Sequence, residues 1–422
     1  MIDEPDSAVP RAPRRARVYV APTDRLITRP FVVVTLSAFA FFMYIGTLLP
    51  LVPLYIEGPL GGGEFGVGVN AAVFAIAAIA ARPVLGRLAD RYGRRSIMIG
   101  GALIAAAGGF GMSQVDALGP LLAFRVFTGI GEAAMFVGAA TLIADLSPRE
   151  RRAEGASYFS VAVFTGLGVG PVFGEWLLDD VEFERTFVAA GCFALIAGAI
   201  ALLAPARVVS PDSQTDDPNA VTGDVDRSGW RRYVHPSAVL PGIVLALGIG
   251  GLTSFFLFVP DYSREVGLGS SGGLFFVYSV VSALIRVFGA TLPERLGPRR
   301  AVTMALSFFA VGLVLVAAVP TPAALWVGAA LVGLGAAFNY PSLMALTVNR
   351  VSDADRASAI SSFTMFFEIG SAFSGLFVGA IAQLADERLG FVAGAVMCVI
   401  GIIVLRTKVV PLVAPLTANA TA

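Results

Sequence analysis

The chain has 422 residues, long enough for two or three soluble domains, but its composition excludes a soluble protein. Apolar residues make up 56% of it and charged residues only 14%, against about 25% charged residues in soluble domains. The 30 basic and 30 acidic residues cancel without forming a basic block, which argues against nucleic-acid binding. One histidine and two cysteines cannot supply a metal centre, a disulfide framework or a histidine-based triad. We therefore expect a membrane protein with no enzymatic activity, no metal and no cofactor.

Twelve apolar segments follow one another along the chain, each near the ~20 residues that a helix needs to cross a bilayer. They predict twelve transmembrane helices, at residues 31–56, 67–85, 96–114, 117–144, 155–177, 186–204, 237–259, 272–290, 301–319, 322–348, 357–383 and 389–405.

Polar stretches divide these helices into two groups of six. We predict a cytoplasmic tail at 1–30, a first bundle at 31–204, a flexible linker at 205–236, a second bundle at 237–405 and a cytoplasmic tail at 406–422. The linker is too rich in Pro and Asp to form a packed core.

The distribution of Lys and Arg predicts the orientation in the membrane. With the N-terminus in the cytoplasm, cytoplasmic segments hold 24 basic residues and the opposite side holds only Arg185, Arg264 and Arg388. Because basic loops stay on the cytoplasmic side, we expect both termini there, in a multi-pass protein of the cytoplasmic membrane.

The two halves are related by a repeat. A shift of 204 residues aligns Arg82 with Arg286 and Gly93 with Gly297, and further matches extend over about 85 residues. Six helices per half give both halves the same orientation, so the repeat is parallel and the two bundles face each other across a central cavity.

A loop signature follows the second predicted helix. The segment GRLADRYGRR at 86–95 resembles the cytoplasmic loop motif of the major facilitator superfamily, G-x-L-A-D-R-x-G-R-R, at every defined position. The second half keeps a degraded copy in which Glu294 stands for the aspartate, and Asp145 resembles the family's acid near the same gate. The resemblance assigns gating roles to Gly86, Asp90, Arg91, Gly93, Arg94, Arg95, Asp145 and Glu294, with Asp145 expected to pair with arginines of the loop.

Membership of that superfamily implies an all-α fold of two six-helix bundles related by a pseudo-twofold axis. It also implies alternating access of a small-molecule site and activity as a monomer in the lipid bilayer. In the family the first helix of each three-helix unit lines the cavity, which points to Tyr44, Thr47, Phe255, Phe256, Asn339 and Tyr340.

Three ionisable residues inside the spans are candidates for handling protons. Arg125 and Glu132 belong to an R-x-x-x-G-x-G element similar to one of the family, and lie about 10 Å apart along one helix face. Glu368 is the only acid deep in the second half's spans, and its repeat equivalent is Phe164. Each charge costs about 2.5–3.5 kcal/mol in a bilayer on insertion scales. A purely structural role, in buried charge pairs or hydrogen bonds, is the alternative for all three.

The fifth predicted helix contains a glycine and proline element, GLGVGPVFGE, that includes Gly170 and Pro171. It is similar to the G-x-x-x-G-P-x-x-G-G element associated with antiporters of the superfamily, except that Glu175 replaces the last glycine. A helix-packing face made of small residues explains the glycines equally well.

The sequence thus predicts a secondary transporter, with proton-coupled efflux of a small amphiphilic or hydrophobic molecule favoured. A proton-coupled uptake symporter for a sugar or organic acid is the first alternative, and a membrane sensor that transports nothing is less favoured. No phosphate-binding G-x-x-x-x-G-K-[ST] loop occurs, which disfavours ATP-driven transport.

Overall fold

The computed structural model describes residues 18–20, 25–148, 151–178, 182–209, 235–288, 296–348, 351, 356–384 and 386–409. Within these ranges lie twelve long helices: α1 (Arg29–Glu57), α2 (Gly63–Tyr92), α3 (Arg94–Met112), α4 (Leu118–Leu146), α5 (Arg152–Leu177), α6 (Phe183–Ala201), α7 (Pro236–Glu265), α8 (Gly272–Phe288), α9 (Pro298–Ala318), α10 (Pro322–Val348), α11 (Arg356–Ala382) and α12 (Glu387–Val404).

Eleven of the described helices are long and apolar enough to cross a membrane, and α8 is apolar over the 17 residues described for it. Helices satisfy every backbone hydrogen bond internally, which a lipid environment demands. The predicted all-α fold of twelve membrane helices is confirmed. A five-residue π-helical segment, Leu405–Val409, continues α12.

The packing of the helices repeats as the sequence does. In the first half α1 packs on α5 and α6, and α3 packs on α4; in the second half α7 packs on α11 and α12, and α9 packs on α10. The most extensive contacts between the halves are those of α2 with α11 and of α5 with α8, and the repeat converts each of these into the other. Helix α7 also contacts α1 and, to a small extent, α2. The interface between the bundles is therefore pseudo-symmetric.

The bundle has two chemically different ends. The basic end is where α1 begins and α2 ends, and it carries the arginines of the 86–95 loop. The acidic end is where α1 ends and α2 begins, and it carries Glu57, Glu64, Asp261 and Glu387. That the basic end is cytoplasmic, as the positive-inside rule indicates, stays a prediction.

A single glycine joins α2 to α3 at the basic end. Gly93 has φ +89° and its amide caps α2 by donating to the Ala89 carbonyl. Its repeat equivalent Gly297, which precedes α9, has φ +78°. Residues with a Cβ rarely adopt this conformation, which explains the glycine in both copies of the loop.

Two short strands lie where the sequence predicts a tail and a flexible linker. Strand β1 (Val18–Val20) pairs in parallel with β2 (Arg207–Val209), with Val18 opposite Arg207. The sequence VYV and the valines of RVV are β-branched and aromatic residues that favour extended backbone. Hence the segments 1–30 and 205–236 each contribute three residues to a sheet, a feature that their overall polarity hides.

Candidate functional site

Three charged side chains from three helices meet near the middle of the bundle. The guanidinium of Arg82 in α2 donates a hydrogen bond to Oε1 of Glu368 in α11 and lies 3.9 Å from Oε2 of Glu132 in α4. Glu132 is fourteen residues from either end of its helix, about 21 Å along the axis. The Arg82 side chain is 22% exposed, Glu132 13% and Glu368 8%. We call these three residues the charged triad.

The charged triad is unbalanced. Two carboxylates share one guanidinium, so full ionisation leaves one negative charge without a counter-charge within the triad. Uncompensated charge is costly in a poorly solvated interior. A proton or a bound ligand group would neutralise the second carboxylate, and this makes the triad the strongest candidate for coupling chemistry.

The repeat explains where the triad comes from. Arg82 aligns with Arg286 and Glu368 with Phe164 under the 204-residue shift. In the structure the Arg286 guanidinium carbon lies 4.0 Å from the centre of the Phe164 ring. Each arginine therefore contacts the equivalent position of the opposite half. Arg82 contacts the carboxylate of Glu368, and Arg286 contacts the ring of Phe164. We call the two equivalent helix interfaces between the halves, α2 with α11 and α5 with α8, the seams. At this position the described residues form an arginine–carboxylate pair only in the α2–α11 seam.

The arginine beside the two carboxylates is Arg82, whereas the sequence predicts Arg125 as the arginine that handles protons with Glu132 and Glu368. Arg125 lies with its guanidinium carbon 4.7 Å from the Phe74 ring centre, a cation–π contact. Among described residues no carboxylate lies within 4 Å of Arg125. Arg125 and Glu132 share a helix, but their seven-residue separation places them at different depths, and Arg82 reaches Glu132 from α2.

The six predicted cavity residues divide into buried and accessible groups. Tyr44, Thr47, Phe255 and Asn339 are at most 2% exposed, and the Tyr44 hydroxyl donates to the Ala105 carbonyl at 2.9 Å. This places those four within the helix packing.

Two of the six, Phe256 and Tyr340, are only partly buried. The Tyr340 ring centre lies 5.5 Å from that of Phe363 in α11. Their partial exposure makes Phe256 and Tyr340 the better placed of the six to contact a ligand.

The loop motif at the basic end forms contacts within the first half. Arg94 forms an ion pair with Asp145 at the end of α4, as the sequence predicts for that acid. Arg95 donates to the Ala204 carbonyl at 3.2 Å, and Arg91 stacks on the neighbouring ring of Tyr92. The first two contacts tie α3 to α4 and to the chain that follows α6, and the third lies within α2.

Of the other predicted gating residues, the structure describes the surroundings of Gly86, Gly170 and Pro171. A Cβ on Gly86 would meet open space, whereas one on Gly170 would lie 2.7 Å from the Gly46 Cα, so α5 and α1 approach closely there. Pro171 lies at the same approach to Gly46. The side chain of Asp90 and all of Glu294 lie outside the described residues.

Glu175 joins the two halves at the acidic end. Its carboxylate, near the end of α5, accepts hydrogen bonds from the Ser271 N–H at 2.8 Å and the Ser271 hydroxyl at 2.5 Å. The Ser270 hydroxyl and the Gly272 N–H also donate to it. These donors form the beginning of α8, where free N–H groups favour an anion. We call this arrangement the Glu175 clasp.

The equivalent seam between α2 and α11 closes differently. Gln383 accepts a hydrogen bond from the Phe65 N–H at 3.1 Å, so a side chain again caps the first turn of the helix in the opposite half. A Cβ on Gly68 would lie 2.2 Å from the Gly375 carbonyl oxygen, which shows that the helices touch there. At the acidic end the two halves are thus joined by a charged cap at one seam and a neutral cap at the other.

Sequence reasoning missed Arg82 and the role of Glu175 as an acceptor. Arg82 had a detectable signal, an arginine inside a span that recurs at 286. Glu175 had a weaker one, an acid in place of the last glycine of the antiporter element. Neither signal identified a partner, since Glu368 and the donors at 270–272 come from the other half and Glu132 comes from a different helix.

Comparison with known proteins agrees with this architecture. The family model described as Major Facilitator Superfamily matches residues 34–308 and 270–420. The chain belongs to the major facilitator superfamily. It is accordingly a multi-pass membrane protein and a secondary transporter, and the family is one that binds small-molecule substrates within the membrane.

Two curated relatives are also named as MFS-type transporters, both described as uncharacterised. One, from Salmonella typhimurium, is 25% identical over 381 residues, covering 88% of this chain and 95% of the relative. The other, from Burkholderia mallei, is 26% identical over 382 residues, covering 88% and 90%.

Solved major facilitator structures share the fold at low identity. A mutant of the peptide transporter POT, in complex with sulfate, has a TM-score of 0.74 at 14% identity, covering 92% of this chain and 96% of its own. A mutant of the nucleoside transporter NupG has 0.73 at 16%, covering 90% and 99%. The human organic anion transporter MFSD10 has 0.65 at 20%, covering 89% and 99%. Such different cargoes on one fold leave the substrate to be argued from the site.

Proposed function

We propose that the protein exports a small amphiphilic or hydrophobic molecule from the cell in exchange for protons. The observation that carries the proposal is the charged triad, in which Glu132 and Glu368 compete for Arg82 at the interface between the bundles. The antiporter-like element of α5 supports the direction of transport.

Coupling in this proposal follows from charge balance. When both carboxylates are ionised, a polar or cationic group of the substrate compensates the second one. When a proton occupies that carboxylate, the site is neutral and the substrate is released. Proton and substrate then exclude each other, which is the condition for antiport.

Access to the triad alternates between the two ends by rocking of one bundle on the other. The Glu175 clasp and the Gln383 cap hold the acidic end closed in this conformer. The basic end, predicted to be cytoplasmic, is then the side from which substrate enters. The ion pair of Arg94 with Asp145 belongs to the gate on that side.

A second candidate function is proton symport of an organic anion, and a separate observation favours it. Arg125 and Arg286 both stack on phenylalanine rings, and neither forms an ion pair with a described residue. An anionic substrate would supply the missing charge. Protonation of Glu368 would also release Arg82 for that anion, so proton and substrate would bind together rather than in turn.

The sign of coupling decides between the two functions. Ligands that raise the melting temperature of the purified protein are identified first, from matched organic acids, amines and neutral analogues. Each is then followed in proteoliposomes with an internal pH dye. Antiport moves protons against the ligand, symport moves them with it, and ligand flux without proton movement contradicts both.

A Glu184→Gln variant, which removes an exposed carboxylate outside the triad and the Glu175 clasp, serves as the control. Loss of proton movement in Glu132→Gln or Glu368→Gln, with ligand binding retained, is the expected result. Unchanged proton movement in both variants would remove the triad from the mechanism.

A further inference from the structure

A cavity of about 400 Å³ at the basic end is lined mainly by arginines. It lies between the start of α9 and the π-helical segment after α12, and its lining residues are Arg299, Arg300, Thr303, Met304 and Arg406. All three arginines are exposed, and Met304 is 37% exposed. We call it the arginine cavity. It combines positive charge with an apolar edge, and the transport mechanism above does not use it.

The positive charge of the arginine cavity is not neutralised by the described protein. None of its three arginines forms an ion pair with any described carboxylate. Arg299 and Arg300 occupy the first turn of α9, where the positive end of the helix dipole makes cations unfavourable. No side chain caps that helix, whose first turn also contains Pro298. Free backbone N–H groups there add to the attraction for an anion.

The first half of the repeat shows what fills the equivalent place. Arg95, the equivalent of Arg299, donates to the carbonyl of Ala204 at 3.2 Å. A Cβ added to Gly93 would lie 3.2 Å from the carbonyl oxygen of Ala206, in the chain that follows α6. Around Gly297, by contrast, no described atom lies within 4 Å of such a Cβ. The first half supplies its own acceptor to Arg95, whereas the described residues of the second half supply none to Arg299.

We propose that the arginine cavity binds the phosphate of an anionic phospholipid in the basic-end leaflet. Guanidinium groups bind phosphate oxygens in a bidentate manner, and three of them converge here. The cavity lies at the ends of two membrane-crossing helices, the depth at which headgroups lie. Met304 faces outward beside the arginines and would contact the start of an acyl chain. Basic pockets between transmembrane helices on the cytoplasmic side are suited to such headgroups.

The phosphate could also come from a soluble compound, and the experiment separates the two sources. Purified, delipidated full-length protein is titrated with dioleoylphosphatidylglycerol, with dioleoylphosphatidylcholine as the zwitterionic comparison, and bound lipid is counted by native mass spectrometry. Tighter binding of the anionic lipid by tenfold or more is expected, with no displacement by 10 mM inorganic phosphate. Displacement by phosphate would assign the cavity to a soluble anion and overturn the lipid proposal.

Variants locate the binding. The combination Arg299→Gln, Arg300→Gln and Arg406→Gln is expected to abolish the preference for the anionic lipid. The matched control removes three charges from the same end outside the cavity, through Arg87→Gln, Arg91→Gln and Lys408→Gln, and is expected to change the affinity less than twofold.

Equal losses in the two triple variants would show that only the overall charge matters and would overturn the proposal. Arg406→Gln alone, a single exposed substitution that leaves the first turn of α9 unchanged, should weaken binding about threefold. It keeps the test decisive if the triple variant fails to fold, and an unchanged affinity would contradict the proposal.

Discussion

Replacing Glu175 by glycine should open the acidic end of the transporter. Glycine is the residue that the antiporter element places here, and it also stands at the repeat-equivalent position, Gly379. The substitution removes a carboxylate that accepts four hydrogen bonds from Ser270, Ser271 and Gly272 of the other half. The clasp cannot form in a conformer whose acidic end is open, so its loss acts on one state only.

The size of the effect follows from the two backbone donors at the beginning of α8. Hydrogen bonds to charged groups contribute about 1.5–3 kcal/mol each, and the hydroxyls are left out because water replaces them readily. A loss of about 3 kcal/mol lowers the ratio of acidic-end-closed to acidic-end-open molecules about 100-fold. Glu175→Gln keeps an acceptor oxygen without the charge and should lower the ratio about tenfold.

Distance measurements between spin labels test this prediction. Cysteine pairs at Gln114 and Arg264 report the acidic end, and pairs at Ser96 and Thr407 report the basic end, in a background with Cys192→Ser. Glu175→Gly should lengthen the first distance and shorten the second, with Glu175→Gln intermediate. Unchanged distributions at both ends would refute the reasoning that the clasp stabilises this conformer.

Three further predictions concern the triad and the basic end. Arg82→Gln leaves two carboxylates without their shared guanidinium and should cost about 3–5 kcal/mol of stability. The Arg82→Gln, Glu368→Gln double variant should melt at a higher temperature than Arg82→Gln alone. If the two substitutions instead lower the melting temperature by the sum of their separate effects, the two acids do not share the charge of Arg82. Asp145→Asn should cost about 1 kcal/mol of stability, because it removes the partly exposed ion pair that joins α4 to Arg94 of α3; an unchanged melting temperature would contradict it. Gly93→Ala should cost about 1–2 kcal/mol because of its positive φ, seen as a lower melting temperature, and an unchanged melting temperature would contradict that.

Much of the fold could be predicted from the sequence, because lipid restricts a spanning segment to a helix of nearly fixed length. The repeat then indicated how the two bundles relate, and Gly93 and Gly297 have the same conformation as the alignment suggests. The short strands at 18–20 and 207–209 were not predicted, since three-residue strands leave too little pattern to detect.

The composition of the site could be predicted only in part. Glu132 and Glu368 stood out as acids within spans. That they share Arg82 as a partner could not be predicted, because it depends on which helices contact each other between the halves and at what depth. The repeat aligns Arg82 with Arg286 without showing that each contacts the opposite half. Arg125 was grouped with the two acids as a residue that handles protons, but in the structure Arg82 is the arginine beside them and Arg125 lies against Phe74.

Proton release on ligand binding is the most direct test of the claim that the charged triad couples transport to protons. The purified protein, in weakly buffered solution with a pH indicator, is mixed with a ligand that stabilises it. The proposed exchange predicts release of up to about one proton per wild-type protein and none from the Glu132→Gln, Glu368→Gln double variant. Equal release from both proteins, with ligand affinity retained, would contradict the account.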